Sequence, residues 1–145
     1  MSSNITYATL KDSKGFIWFG TGDGLCRLAP KQTQKNKPKF KVYKNNPKDS
    51  TSLSHNYILP ILEDSKGSIW IGTFGGGLNK YVRATQNVPE HFITYNTKQG
   101  LPNNVIKGIL EDDEGNLWIS TNKGLSKFHI ETEVFTNYDE IDGLQ

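Results

Sequence analysis

Leu62-Glu63-Asp64-Ser65-Lys66-Gly67-Ser68-Ile69-Trp70-Ile71-Gly72-Thr73 is written three times along the chain. The upstream copy is Leu10-Lys11-Asp12-Ser13-Lys14-Gly15-Phe16-Ile17-Trp18-Phe19-Gly20-Thr21, and the downstream copy is Leu110-Glu111-Asp112-Asp113-Glu114-Gly115-Asn116-Leu117-Trp118-Ile119-Ser120-Thr121. All three tryptophans of the protein occupy one position of this unit. Trp18 and Trp70 are 52 residues apart and Trp70 and Trp118 are 48 apart, a period that belongs to solenoids, propellers or arrays.

Each unit reads as four short strands. The first is expected over residues 5–10, 57–62 and 105–110, each preceded by asparagine (Asn4, Asn56, Asn104). An Asp and a Gly three apart follow, as Asp12 and Gly15, Asp64 and Gly67, Asp112 and Gly115. The Asp side chain can bond the backbone two residues on and the Gly supplies positive φ, so a tight antiparallel hairpin is predicted. The second strand carries the tryptophan between apolar neighbours, which implies burial on both faces. A Gly-containing turn leads to an alternating third strand (residues 25–28, 78–81, 125–128), and a Phe-x-x-Tyr strand closes the unit at Phe40 and Tyr43, Phe92 and Tyr95, Phe135 and Tyr138. Four antiparallel strands repeated at this period describe blades of an all-β propeller, here over residues 4–53, 54–103 and 104–145. Three blades cannot close a ring. Asp142-Gly143-Leu144-Gln145 resembles Gln99-Gly100-Leu101-Pro102 and reads as the approach to a fourth blade. The expectation is therefore a piece of a longer propeller, or two copies assembled into a six-bladed ring.

Composition agrees with this fold class. Three alanines stand against 12 isoleucines and 16 aromatic residues, a balance that favours strands. A net charge of +2 gives no argument for nucleic acid or membrane. One cysteine, Cys26, excludes an internal disulfide framework, and no apolar run is long enough to span a bilayer. The first residues show no signal-peptide pattern.

The string 61–73, followed by Gly77-Leu78, Phe92-x-x-Tyr95 and Gly100-Leu101-Pro102, resembles the two-component regulator propeller repeat. The resemblance covers the chain in three phased copies, with Thr9, Lys11 and Ser120 as departures. It implies the sensor region of a hybrid two-component histidine kinase, a periplasmic location, a carbohydrate-derived ligand, and a kinase carried by the parent protein outside this chain.

Several features invite chemistry. Trp18, Trp70 and Trp118 could stack on sugars, yet their shared position inside apolar strands assigns them to the repeat core. The glycine-rich stretches 20–24 and 72–77 precede strands, whereas phosphate loops precede helices, so turn geometry explains them and no cofactor is assigned. The acidic run 111–116 lacks the spacing of a calcium loop, and His55, His91 and His129 lack ligand spacing, so no metal is assigned. Seven lysines between Lys31 and Lys48, with no acid among them, are read as guards of an outermost strand in preference to a polyanion patch. Cys26, matched by Asn79 and Ser126, is a small strand residue without a nucleophile's surroundings. Asn4-Ile5-Thr6 fits a glycosylation sequon.

A ligand site breaks repeat symmetry, because recognition needs a unique constellation. The residues that break it are Asp23, Phe74 and Lys123 at one turn and His55, against Asn103, before the first strand of its blade, and these four form the candidate ligand-binding set. The resulting expectation is a non-catalytic propeller segment of an extracytoplasmic sensor, binding a ligand or relaying a signal and associating with itself or with neighbouring blades. The alternatives are a generic propeller scaffold for protein interactions and, further off, a propeller lyase or glycosidase, for which no unique carboxylate pair is visible.

Overall fold

The computed structural model describes residues 5–139. The sequon's Asn4 and the segment 142–145 lie outside the described residues.

Twelve strands form three separate four-stranded antiparallel sheets. The first blade holds β1 (Thr6–Lys11), β2 (Ile17–Thr21), β3 (Gly24–Leu28) and β4 (Phe40–Tyr43). The second holds β5 (Ile58–Glu63), β6 (Ile69–Thr73), β7 (Leu78–Val82) and β8 (His91–Tyr95). The third holds β9 (Ile106–Glu111), β10 (Leu117–Thr121), β11 (Gly124–His129) and β12 (Val134–Tyr138). Each sheet runs in chain order, and the first strands β1, β5 and β9 bring neighbouring blades together. These inner strands begin one residue later than the sequence pattern predicts, and β1 and β5 carry register shifts between Thr6 and Ala8 and between Ile58 and Ile61. Pro60 falls inside the second shift, on an edge strand where a missing N–H is tolerated.

The hairpin between the first two strands is closed by one carboxylate. Asp64 Oδ1 accepts the N–H groups of Lys66 (3.0 Å) and Ser68 (2.9 Å), while Oδ2 accepts the indole Nε1–H of Trp70 at 2.8 Å. Asp12 binds Lys14, Phe16 and Trp18 in the same way, and Asp112 binds Glu114, Asn116 and Trp118. Gly67 takes φ +86° in this turn, a conformation open to glycine. The Asp thus sets the turn and also orients the tryptophan six residues on. That second duty explains why Asp and Trp keep their spacing in all three copies.

Two cores result, and each belongs to a junction between blades. Trp18, Leu25 and Tyr43 of the first blade pack with Ile58, Ile69, Ile71, Tyr81 and Phe92 of the second. Trp70, Leu78 and Tyr95 of the second pack with Ile106, Leu117, Ile119 and Phe128 of the third. In β6, Ile69 and Ile71 therefore face backward and Trp70 forward, which accounts for a strand apolar on both sides. Trp118 departs from the expected core role. It is only partly buried, stacked on Tyr138 at 5.6 Å, because no following blade covers it among the described residues.

The lysine-rich stretch runs over an exposed connection with a 3₁₀ turn at Pro30–Gln32 and onto β4, the outer edge of its sheet. Lys41 pairs with Glu90 and Lys44 with Asp23. Cys26 is buried within its sheet, as are Asn79 and Ser126 at the equivalent positions.

Candidate ligand-contact face

Turns between the second and third strands gather on one face together with the segments that lead into β5 and β9. Gly24 donates its N–H to the carbonyl of Asn56 (2.6 Å), Phe74 donates to that of Tyr57 (2.9 Å), and Gly75 donates to that of Asn104 (3.1 Å). The Gly24 and Gly75 bonds lace the turn of one blade to the approach segment of the next, and the Phe74 bond ties the second blade's turn to its own approach segment. This lacing fixes the side chains that the face presents.

An aromatic series crosses this face. Tyr7 and Tyr57 stack with ring centroids 5.1 Å apart and planes inclined by 21°, and Tyr57 meets Phe74 at 5.3 Å and 46°. Tyr7 and Phe74 are each 46% exposed, unlike the aromatic residues of the junction cores. A hydrogen bond with Tyr7, followed by burial, pushes the Tyr57 hydroxyl above its ordinary pKa.

Of the residues singled out from the sequence, Phe74 and His55 come together. His55 Nδ1 accepts the N–H of Tyr57 at 3.0 Å, which holds the imidazole beside the turn. A Cβ at Gly75 would lie 3.5 Å from His55 Cδ2 and Nε2, so the ring rests against the residue that follows Phe74. Asp23 sits on the first blade's turn, and its carboxylate is held by Lys44 Nζ at 3.0 Å. Lys123 is exposed on the third blade's turn, its N–H held by Thr121 Oγ1 at 3.0 Å. Tyr7 and Tyr57 were not legible as site residues because they occupy different positions of the repeat, and only the fold stacks them.

Most carboxylates elsewhere are committed to structure, whereas Asp113 and Glu114 lie exposed in the third blade's hairpin. Asp12, Asp64 and Asp112 hold the hairpins. Glu63 accepts from the N–H and hydroxyl of Ser13 (2.9 and 2.7 Å), and Glu111 does the same for Ser65 (2.8 and 2.7 Å). Glu90 accepts the hydroxyls of Tyr43 (2.8 Å) and Tyr81 (2.5 Å) and pairs with Lys41, while Arg27 donates to Tyr81 at 2.8 Å. Burial raises the pKa of Glu90, but the donors around it outweigh burial and hold it below the ordinary value. Burial likewise raises Asp12, and hydrogen bonds from Trp18, Arg83, Phe16 and Lys14 bring it below normal. A hollow between the second and third blades, lined by Asp64, Ser65, Glu111 and Glu131, lies on the opposite face among these hairpins. Among the described residues no group of three or more His, Cys, Asp or Glu side chains is placed to hold a metal ion. No helix there is long and apolar enough to cross a membrane.

Four-stranded sheets that share cores with their neighbours define a segment of a β-propeller. The family model described as two component regulator propeller matches residues 1–23, 52–75 and 100–123, and the chain is built from these repeats. Among solved structures, it is similar to the extracellular domain of a Bacteroides protein (B. thetaiotaomicron) described as a hybrid two component system. The identity is 27% and the TM-score 0.79, over 97% of this chain and 19% of that one. It is also similar to virginiamycin B lyase from Staphylococcus aureus, with 16% identity and TM-score 0.62 over 96% of this chain and 42% of that one, a likeness of fold alone. No curated protein matches the chain by sequence. The chain thus spans 19% of the length of the first solved relative and 42% of the second.

Proposed function

We propose that this chain is a non-catalytic, ligand-contacting segment in the extracytoplasmic, periplasmic part of a two-component sensor. The series Tyr7–Tyr57–Phe74, with His55 at its side, is the contact surface, and a carbohydrate-derived molecule is its ligand. One observation carries the reading: three partly exposed rings meet in series on the face where turns and approach segments come together, whereas the aromatic rings of the two junction cores are buried. Exposed rings can cover the C–H faces of a sugar, and the imidazole supplies a polar group to orient it. The family and the solved extracellular relative support the sensor part of the reading. The commitment of most acidic side chains to hairpins and junctions supports the non-catalytic part.

The test is a titration with a panel of neutral and acidic oligosaccharides, followed by the aromatic ring resonances. The expected result is a saturable shift at Tyr7, Tyr57 and Phe74 for one panel member, lost in Tyr57→Ala. Binding that survives both Tyr57→Ala and Phe74→Ala would rule out this surface, and a panel without any binder would rule out the ligand class.

A further inference from the structure

The two open faces of the chain differ from the internal junctions, and they differ together. Inside the chain, a missing side chain on one blade is filled by an isoleucine of the next. A Cβ at Gly20 would lie 2.7 Å from Ile58 Cγ2, and one at Gly72 would lie 2.5 Å from Ile106 Cγ2. The third blade has Ser120 at the glycine position, and the first blade has Thr6 at the isoleucine position. Thr6 keeps the Cβ and Cγ2 of isoleucine, so what changes on the two open faces is polarity: a glycine–isoleucine contact is replaced by two hydroxyl-bearing side chains.

Charge follows the same exchange. Ser13 bonds to Glu63 and Ser65 bonds to Glu111 across the junctions. At these positions the open face of the third blade has Asp113 and that of the first has Lys11, both exposed. Lys66 pairs with Glu131 at 3.4 Å across the second junction, and the matching open-face residues are Glu114 and Lys31, the reverse polarity. A blade resembling the second or third would set a glutamate against Asp113. The first blade sets Lys11 against it.

We infer that the open face of the third blade docks on the first blade of a second copy of this chain, pairing Asp113 with Lys11 and Glu114 with Lys31. Two such contacts close a six-bladed ring, whereas three copies would make nine blades, beyond the usual 4–8. Docking also covers Trp118 and Leu110, the latter 67% exposed, on one side and Ile17, Phe19 and Val42 on the other. Complementary charge sets partner choice here more than affinity.

Light scattering of the full chain over a range of concentrations tests the inference, together with Lys11→Asp, Asp113→Lys and the double exchange. Circular dichroism melts confirm that each variant is folded. The expected mass is twice the 16.3 kDa of one chain. Each single exchange should weaken the dimer by about tenfold or more, since like charges then oppose each other in both contacts, and the double exchange should restore it. A monomer at every concentration would overturn the proposal and leave the face to a blade of different origin. A dimer indifferent to the single exchanges, a double exchange without recovery, or mass that grows without limit would overturn it equally.

Discussion

The indole N–H of Trp70 donates to Oδ2 of Asp64 across six residues of chain, at 2.8 Å, and both side chains are buried. Trp70→Phe keeps most of the ring but strands that oxygen, so it should cost about 1–3 kcal/mol, the penalty of an unsatisfied buried acceptor. Trp70→Ala should cost about 3–5 kcal/mol. Trp118→Phe should cost less than Trp70→Phe, because water reaches Asp112 and can replace the donor. Urea denaturation of the three variants in dilute solution checks the order.

Gly72→Ala and Gly67→Ala separate two causes of glycine use. The first places a methyl 2.5 Å from Ile106 and 2.6 Å from Pro60, and overpacking of this kind costs about 1–3 kcal/mol. The second meets no atom within 4 Å, so only its left-handed backbone matters, at about 1–2 kcal/mol. Combined with Ile106→Ala, itself costly in the buried junction, Gly72→Ala should lose less than the sum of the two single changes while Gly67→Ala should be additive, as denaturation midpoints of the single and double variants would show.

Acid should loosen the first junction. Asp12 and Glu90 both have folded pKa values below their ordinary 3.8 and 4.5, so each contributes stability that is full above those values and fades as pH falls through the folded ones. Thermal melts between pH 3 and 7 should show a flat region above about pH 5 and a decline below about 4.5. Glu90→Gln should lower the plateau and shallow the decline, while an unchanged slope would remove Glu90 from the account.

Phe74→Ala should leave the fold nearly intact. The ring is about half exposed and its recorded ring contact is with Tyr57, a pairing worth about 0.5–1.5 kcal/mol. A melting point within a few degrees of the parent would show that any loss of ligand binding reports on the contact surface. A collapse of the fold would instead make Phe74 a structural residue.

The sheets were legible because Asp, Gly and Trp recur in fixed phase, and that spacing encodes a turn and a strand in each copy. The one-residue offset at Thr6, Ile58 and Ile106 was not legible, since it follows from local irregularity and blade contact in the inner strands. Trp118 shows a further limit: a repeated sequence pattern does not give equal burial where no following blade covers it among the described residues. In the candidate site, broken symmetry pointed to Phe74 and His55, which do meet. It also pointed to Asp23, whose carboxylate is taken up by Lys44, a partner 21 residues away that no local pattern announces. Tyr7 and Tyr57 could not be paired by pattern, because their contact exists only between blades.

Each tryptophan is encoded with one blade but buried by the next. The cooperative unit in folding is therefore the seam between two sheets, and a chain of three sheets owns two seams. Stability should grow in steps as sheets are added, as in a one-dimensional array. A nick in the exposed connection between β3 and β4 would leave a seam's inner strands still covalently continuous. Deleting the middle sheet would erase both seams at once, and with them every fully buried tryptophan.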